Sequence, residues 1–223
     1  MQQYTEENKK LILRGYWRSS ATWRVRIALH HKKIPFEYRA IHLVKNGGEQ
    51  HSPEELNRNP LAQVPTLELH NGKVLTQSLA IIDYLDQLVS DPPLYPQDPL
   101  ARAQSIQLAE MVNSGIQPLQ NLSLLLSLNK FGIDKVQWAH QQIDRGLLAL
   151  EKIANKYSQS YSGSFLVGDH PTIADLCLIP QLYNARRFKV NIEQFPRLCE
   201  VETNCQKLEA FQLSIPEAQA DAQ

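Results

Sequence analysis

The sequence predicts two domains of different class, a mixed α/β domain over residues 1–90 and an all-helical domain over residues 98–223. Three observations carry that prediction. The first ninety residues alternate short strand-type apolar runs with helical patterns. The stretch "SDPPLYPQDP", Ser90 to Pro99, holds four prolines in ten residues, too many for a helix interior, and reads as a linker. From Leu100 onward apolar residues recur at helical spacing nearly throughout.

The elements follow in order. "LILRGY" is a buried strand, and a helix runs from about Ser20 to Lys33 with Val25, Ala28 and Leu29 on one face. "FEYRAIHL" alternates as a second strand. "SPEE", Ser52 to Glu55, starts a helix, with Ser as cap, Pro in the first turn and Glu three residues after the cap. "PTLELH" and "KVLT" flank Asn71–Gly72, a strong hairpin signal, and "SLAIIDYLDQLV" closes the domain as an apolar helix. The order strand–helix–strand–helix–hairpin–helix implies a mixed four-stranded sheet: a parallel crossover joins the first two strands, and the hairpin adds an antiparallel pair. In the second domain Asp98 and Pro99 start the first helix, and breaks fall at 129–134, 158–171 and 189–194. "TIAD", Thr172 to Asp175, is a reciprocal capping box before the apolar run "LCLIPQL". The tail "PEAQADAQ" is expected to fray.

Composition narrows the function. Lys plus Arg and Asp plus Glu both number 23, so no global field favours nucleic acid or an anionic membrane, and electrostatic recognition must be local. No apolar run is long enough to span a bilayer, and "MQQYTEENKK" lacks the apolar core of a signal peptide. Cys177, Cys199 and Cys205 show no CxxC spacing, which argues for reduced thiols in a cytoplasmic protein. The seven histidines have no metal-ligand spacing, and no metal is expected.

Five motifs in order, "RSSATWRVRIAL", "NPLAQVPTLEL", "TQSLAIIDYL", "GIQPLQNLS" and "VGDHPTIADLCLIPQLYNARRFKV", resemble the zeta class of the soluble glutathione transferases, which includes maleylacetoacetate isomerase. The likeness covers all but the first ten residues and the tail. It implies the glutathione transferase fold, with a thioredoxin-like first domain, and glutathione as the bound cofactor. By the same resemblance Pro65 is a cis proline, and Val64 offers its backbone to the cysteinyl part of glutathione, a strand-addition contact. Gln77 and Ser78 hold the γ-glutamyl carboxylate at a helix N-terminus. Gln50 meets the glycyl end, and Gln117, Asn121 and Ser123 close the site from the helical domain. Ser78 is also open to a plainer role as an N-cap.

The pair Ser19–Ser20 stands at the start of the first helix, between Arg18 and Arg24. A thiol has a pKa of about 8.5, and bringing it to about 6.5 requires roughly 2.7 kcal/mol of preferential thiolate stabilisation. A hydroxyl hydrogen bond to the anion supplies about 1.5–3 kcal/mol and a helix N-terminus about 0.3–1 kcal/mol, so no lysine beside the sulfur is required. The zeta pattern assigns the hydroxyl to Ser19, with Ser20, Tyr16 and Thr22 as rivals. Ala21 is a departure, because the class reads Ser-Ser-Cys here; thiol chemistry by a protein cysteine at this position is excluded. The implied reaction is cis–trans isomerisation of maleylacetoacetate to fumarylacetoacetate in tyrosine breakdown, with glutathione as nucleophile. Such a dicarboxylate-type substrate suits arginine, and Arg187 matches the substrate-side position, with Arg18 and Arg24 as secondary candidates. A homodimer follows by resemblance. The alternatives are a broader glutathione transferase of α-halo acids or peroxides, or a glutathione-transferase-like binding module without catalysis.

Overall fold

The computed structural model describes residues 10–161 and 163–223. They fall into two compact units, Met1–Asp91 together with Leu213–Gln223, and Pro92–Gln212.

In the first unit, strands β1 (Leu11–Gly15) and β2 (Phe36–Ala40) are parallel, joined by helix α1 (Ser20–His31). Helix α2 (Pro53–Arg58) starts as its sequence dictates, with Ser52 Oγ accepting from the Glu55 N–H and Pro53 in the first turn. Strands β3 (Thr66–Glu68) and β4 (Val74–Thr76) form an antiparallel hairpin, and β3 also pairs antiparallel with β1, Leu13 opposite Leu67. The sheet order β2-β1-β3-β4 is the mixed four-stranded sheet expected from the element order. The hairpin loop spans three residues: the Gly72 N–H bonds to Leu69 O and the Leu69 N–H to Lys73 O. Only Gly72 takes positive φ there, where glycine carries no Cβ penalty.

Helix α3 (Ser78–Leu88) packs against α1. Leu11, Leu13, Val25, Ile27, Leu29, Leu67, Ile81, Ile82 and Leu85 make the core, each side chain contributing about 1.5–3 kcal/mol by leaving water. Lys32, the C-cap of α1, donates to Asp86 at 2.5 Å and to Val89 O at 2.7 Å, tying the ends of α1 and α3 together.

The second unit is helical: α4 (Pro99–Asn113), α5 (Leu122–Lys130), α6 (Lys135–Ser158), α7 (Ile173–Arg187) and α8 (Pro196–Cys205). Asp98 caps α4 by accepting from the Ala101 N–H, and Asp134 caps α6. Helix α7 is buried along nearly its whole length, with α4, α6 and α8 against it, as an all-round apolar helix must be. Its capping box forms: Thr172 Oγ1 accepts from Ala174, and Asp175 Oδ2 accepts from the Thr172 N–H at 2.7 Å. Asp175 Oδ1 also accepts from the Leu166 N–H, fixing the preceding loop.

Three expectations are corrected. A break at Ser114–Asn121 interrupts the helical pattern, with a 3-10 turn at Gln117–Gln120 and Pro118 inside it. The helical domain, placed over 98–223, ends at Gln212, because Leu213–Gln223 belongs to the first unit. The tail does not fray: Pro216–Ala218 forms a 3-10 turn, and Asp221 accepts from the Trp17 N–H.

Candidate active site

The β1–α1 junction is a tight turn in which the Ser19 N–H donates to Tyr16 O at 2.9 Å. Ser19 is the N-cap of α1: its backbone is extended, its Oγ accepts from the Thr22 N–H at 3.3 Å, and its carbonyl accepts from Trp23. An Oγ that accepts from an amide keeps its own proton to donate outward, and that donor is strengthened by the bond it accepts. The first turn of α1 contains no acidic residue, so the positive end of the helix dipole is not offset.

The rival hydroxyls sit differently. Ser20 is the first residue of α1 and buried. Tyr16 is buried, its ring edge-on to His42 and Trp17. Thr22 is 0% exposed, lying under β1 where a Cβ on Gly15 would come within 2.2 Å of its methyl group. Its hydroxyl is withdrawn from any ligand, and glycine at position 15 is what makes room for it.

The Val64–Pro65 bond is cis, and Val64 lies two residues before the sheet pairing of β3 begins. Asn59 shapes the approach to it: Nδ2 donates to Gln63 O at 2.8 Å and Oδ1 accepts from the Leu61 N–H. Gln77 is the N-cap of α3, at φ +66, a left-handed conformation costing a non-glycine residue about 1–2 kcal/mol. Such strain concentrates at ligand clamps. Ser78 is the first helical residue rather than the cap, and its buried Oγ accepts from Arg24 Nη1 at 3.3 Å. No acidic residue stands in the first turn of α3 either. Gln50 is buried under Gly48 and donates from Nε2 to Leu43 O.

Arg24 is corrected from a substrate-side candidate. At 1% exposure it is an interior cation behind Ser78, out of reach of a substrate. Arg18 is half-buried, its guanidinium over the Trp17 ring at 5.2 Å. The cradle thus offers a cis-proline edge, two helix N-termini without acidic residues, and a capping hydroxyl. The two helix ends and the hydroxyl are donors or positive ends, which a thiolate and a carboxylate call for.

The remaining candidates belong to the second unit. Gln117 opens the 3-10 turn, Asn121 is the N-cap residue of α5, and Ser123 is exposed in its first turn. At the end of α7 the two arginines divide. Arg186 makes a two-pronged pair with Glu202, at 2.6 and 2.5 Å. Arg187 is exposed, its guanidinium 5.2 Å from the Phe188 ring centre.

Comparison with known proteins fits this geometry. Residues 18–88 match the model for the glutathione S-transferase N-terminal domain, and residues 133–209 that for its C-terminal domain. A maleylacetoacetate isomerase of Mus musculus is 44% identical over 212 residues, 95% of each chain. The solved holo structure of a maleylpyruvate isomerase, a bacterial zeta-class glutathione S-transferase, superposes with a TM-score of 0.90 at 36% identity, covering 95% of this chain and 100% of that one. A maleylacetoacetate isomerase from Anaeromyxobacter dehalogenans 2CP-1, solved with dicarboxyethyl glutathione and citrate in its active site, has a TM-score of 0.84 at 39% identity, covering 96% of this chain and 94% of that one.

Proposed function

The chain belongs to the glutathione S-transferase family, among the zeta-class maleylacetoacetate isomerases, and on that premise we propose that it isomerises maleylacetoacetate to fumarylacetoacetate with glutathione. The observation that carries this reading is the capped start of α1, where a hydroxyl and an unopposed helix dipole meet at Ser19.

Glutathione supplies the nucleophile, whose addition frees the cis double bond to rotate and whose departure leaves the trans product. Ser19 Oγ donates its proton's hydrogen bond to the sulfur and holds it as the anion. Gln77 and Ser78, at the N-terminus of α3, take the γ-glutamyl carboxylate; Val64 presents backbone groups to the cysteinyl segment; Gln50 takes the glycyl end. The family resemblance assigns Gln117, Asn121 and Ser123 to the same ligand. Arg187 receives a carboxylate of the substrate, and Arg18 adds positive charge beside the serines. No step needs a protein thiol, so Ala21 in place of the class cysteine is compatible with the reaction. The same resemblance supports a homodimer in the cytoplasm; among the described residues no helix is long and apolar enough to cross a membrane.

The test is retention on immobilised glutathione followed by turnover of maleylacetone. Retention with glutathione-dependent isomerisation is expected. A wild type without isomerase activity that Ala21→Cys switches on overturns the reading.

A further inference from the structure

We propose that the segment Ser214–Asp221 is a positioning element of the thiolate site, gripping the Trp17 backbone with Arg26 and so setting where Ser19 presents its hydroxyl. The inference rests on the assignment of Ser19 given above.

Trp17 is the second residue of the Tyr16–Ser19 turn, and both of its backbone polar groups are held. Its N–H donates to Asp221 Oδ2 at 3.0 Å. Its carbonyl accepts from Arg26 Nη2 at 2.8 Å. The same Arg26 nitrogen donates to Ser214 O at 3.1 Å, and Arg26 Nε reaches that oxygen at 3.2 Å. One guanidinium therefore joins the turn to the returning tail. Tyr38 completes the arrangement from β2, its hydroxyl donating to Asp221 Oδ2 at 3.2 Å, while Arg26 lies over its ring at 5.9 Å.

The geometry is specific in two respects. Arg26 stands on α1, the helix that Ser19 caps, and is 0% exposed, so its guanidinium is a fixed post seven residues beyond the serine. Burial lowers its pKa to about 10, with Tyr38 and Asp221 opposing the shift; it remains charged at neutral pH. The Asp221 carboxylate bonds to an amide two residues before the cap, in a turn whose rotation moves Ser19 Oγ directly. An ionised acceptor makes bonds of this kind stronger than neutral ones. Positioning errors of about 1 Å at a reacting centre cost on the order of a hundredfold in rate.

The test compares wild type, Asp221→Ala, Asp221→Asn and Tyr38→Phe by thermal unfolding, by thiolate absorbance of bound glutathione against pH, and by kcat and KM. Asp221→Ala is expected to raise the midpoint of the bound thiol by about half a unit or more and to lower kcat about tenfold, with a smaller change in KM for glutathione. Asp221→Asn, which keeps an acceptor for the Trp17 N–H, should fall between. An unaltered thiol titration in Asp221→Ala, with Ser19→Ala raising it, overturns the positioning role and leaves Ser19 standing. If the titration ignores Ser19→Ala, the Ser19 assignment and this inference fall together. Should Asp221→Ala fail to fold, Tyr38→Phe decides: a shift in the same direction supports the role, and an unchanged midpoint overturns it.

Discussion

Arg24 donates from Nη1 to Ser78 Oγ across 3.3 Å, bringing a buried cation to the N-terminus of α3. A carboxylate docked on that N-terminus meets the free amides, the helix dipole and, behind Ser78, this charge. Arg24→Met is expected to weaken glutathione binding by roughly tenfold or more, the scale of a lost charge-assisted contact. Calorimetry with glutathione and with its α-carboxamide analogue checks the cause. The variant's defect should shrink for the amide, and an equal defect for both would assign Arg24 to the fold alone.

Ser19 caps α1 and, in the proposed function, also faces the thiol; the two roles separate by substitution. Aspartate caps a helix about as well as serine but places a negative charge against the thiolate. Ser19→Asp should therefore keep the unfolding midpoint of the wild type while raising the pH midpoint of bound glutathione. Ser19→Ala should raise that midpoint and also lose about 0.5–2 kcal/mol of stability.

The adjacent arginines of α7 should fail in opposite ways. Arg187→Ala is expected to lower kcat/KM with maleylacetone by roughly tenfold to a hundredfold, with the Kd for glutathione little changed, and Arg187→Lys to recover only part. Arg186→Ala strips the partner from Glu202, whose side chain is 9% exposed, and should lower stability with less effect on kcat/KM. Thermal unfolding and steady-state kinetics on both variants distinguish the two.

Asp175 makes the stability of the helical unit pH-dependent. Burial pushes its pKa up to about 6, against the lowering effect of the amides of Leu166 and Thr172. The folded protein thus binds a proton that the unfolded chain releases near its ordinary value of 3.8. Between those values the native state carries more protons, so this group's contribution falls as pH rises through the window. The stability of wild type minus that of Asp175→Asn should be larger at about pH 4 than at about pH 7, by up to about 3 kcal/mol. Urea unfolding at both pH values measures it.

The caps were legible in the sequence because each is a side chain serving an amide at most three residues away, as at Ser52, Asp98 and Thr172. Proline was ambiguous. Pro118 lies in a 3-10 turn where the helical pattern breaks, while Pro180 sits inside α7, whose burial against three helices outweighs the lost bond. Arg24 stands beside the serines as a substrate-side candidate in the sequence, yet Arg24 and Arg26 are both interior. Their partners, Ser78 and the carbonyl of Ser214, are 54 and 188 positions away, beyond any local pattern. Of the candidate site, the serine pair and Gln77–Ser78 stood out as short motifs at helix starts, the cis form of Pro65 followed only from the family resemblance, and the Asp221 grip had no signal of its own.

That grip spans 204 positions, and Pro92–Gln212 falls between its two ends. Because a ribosome makes the chain in order, Trp17 must wait through the synthesis of an entire helical unit before Asp221 arrives. A nascent chain arrested short of Ser214 would carry the sheet, the cis proline and the serines, yet hold the Tyr16–Ser19 turn on one side only. On the proposed reading, glutathione capture and glutathione activation would then be acquired at different moments in the life of the polypeptide, the second only once Ser214–Asp221 has been made.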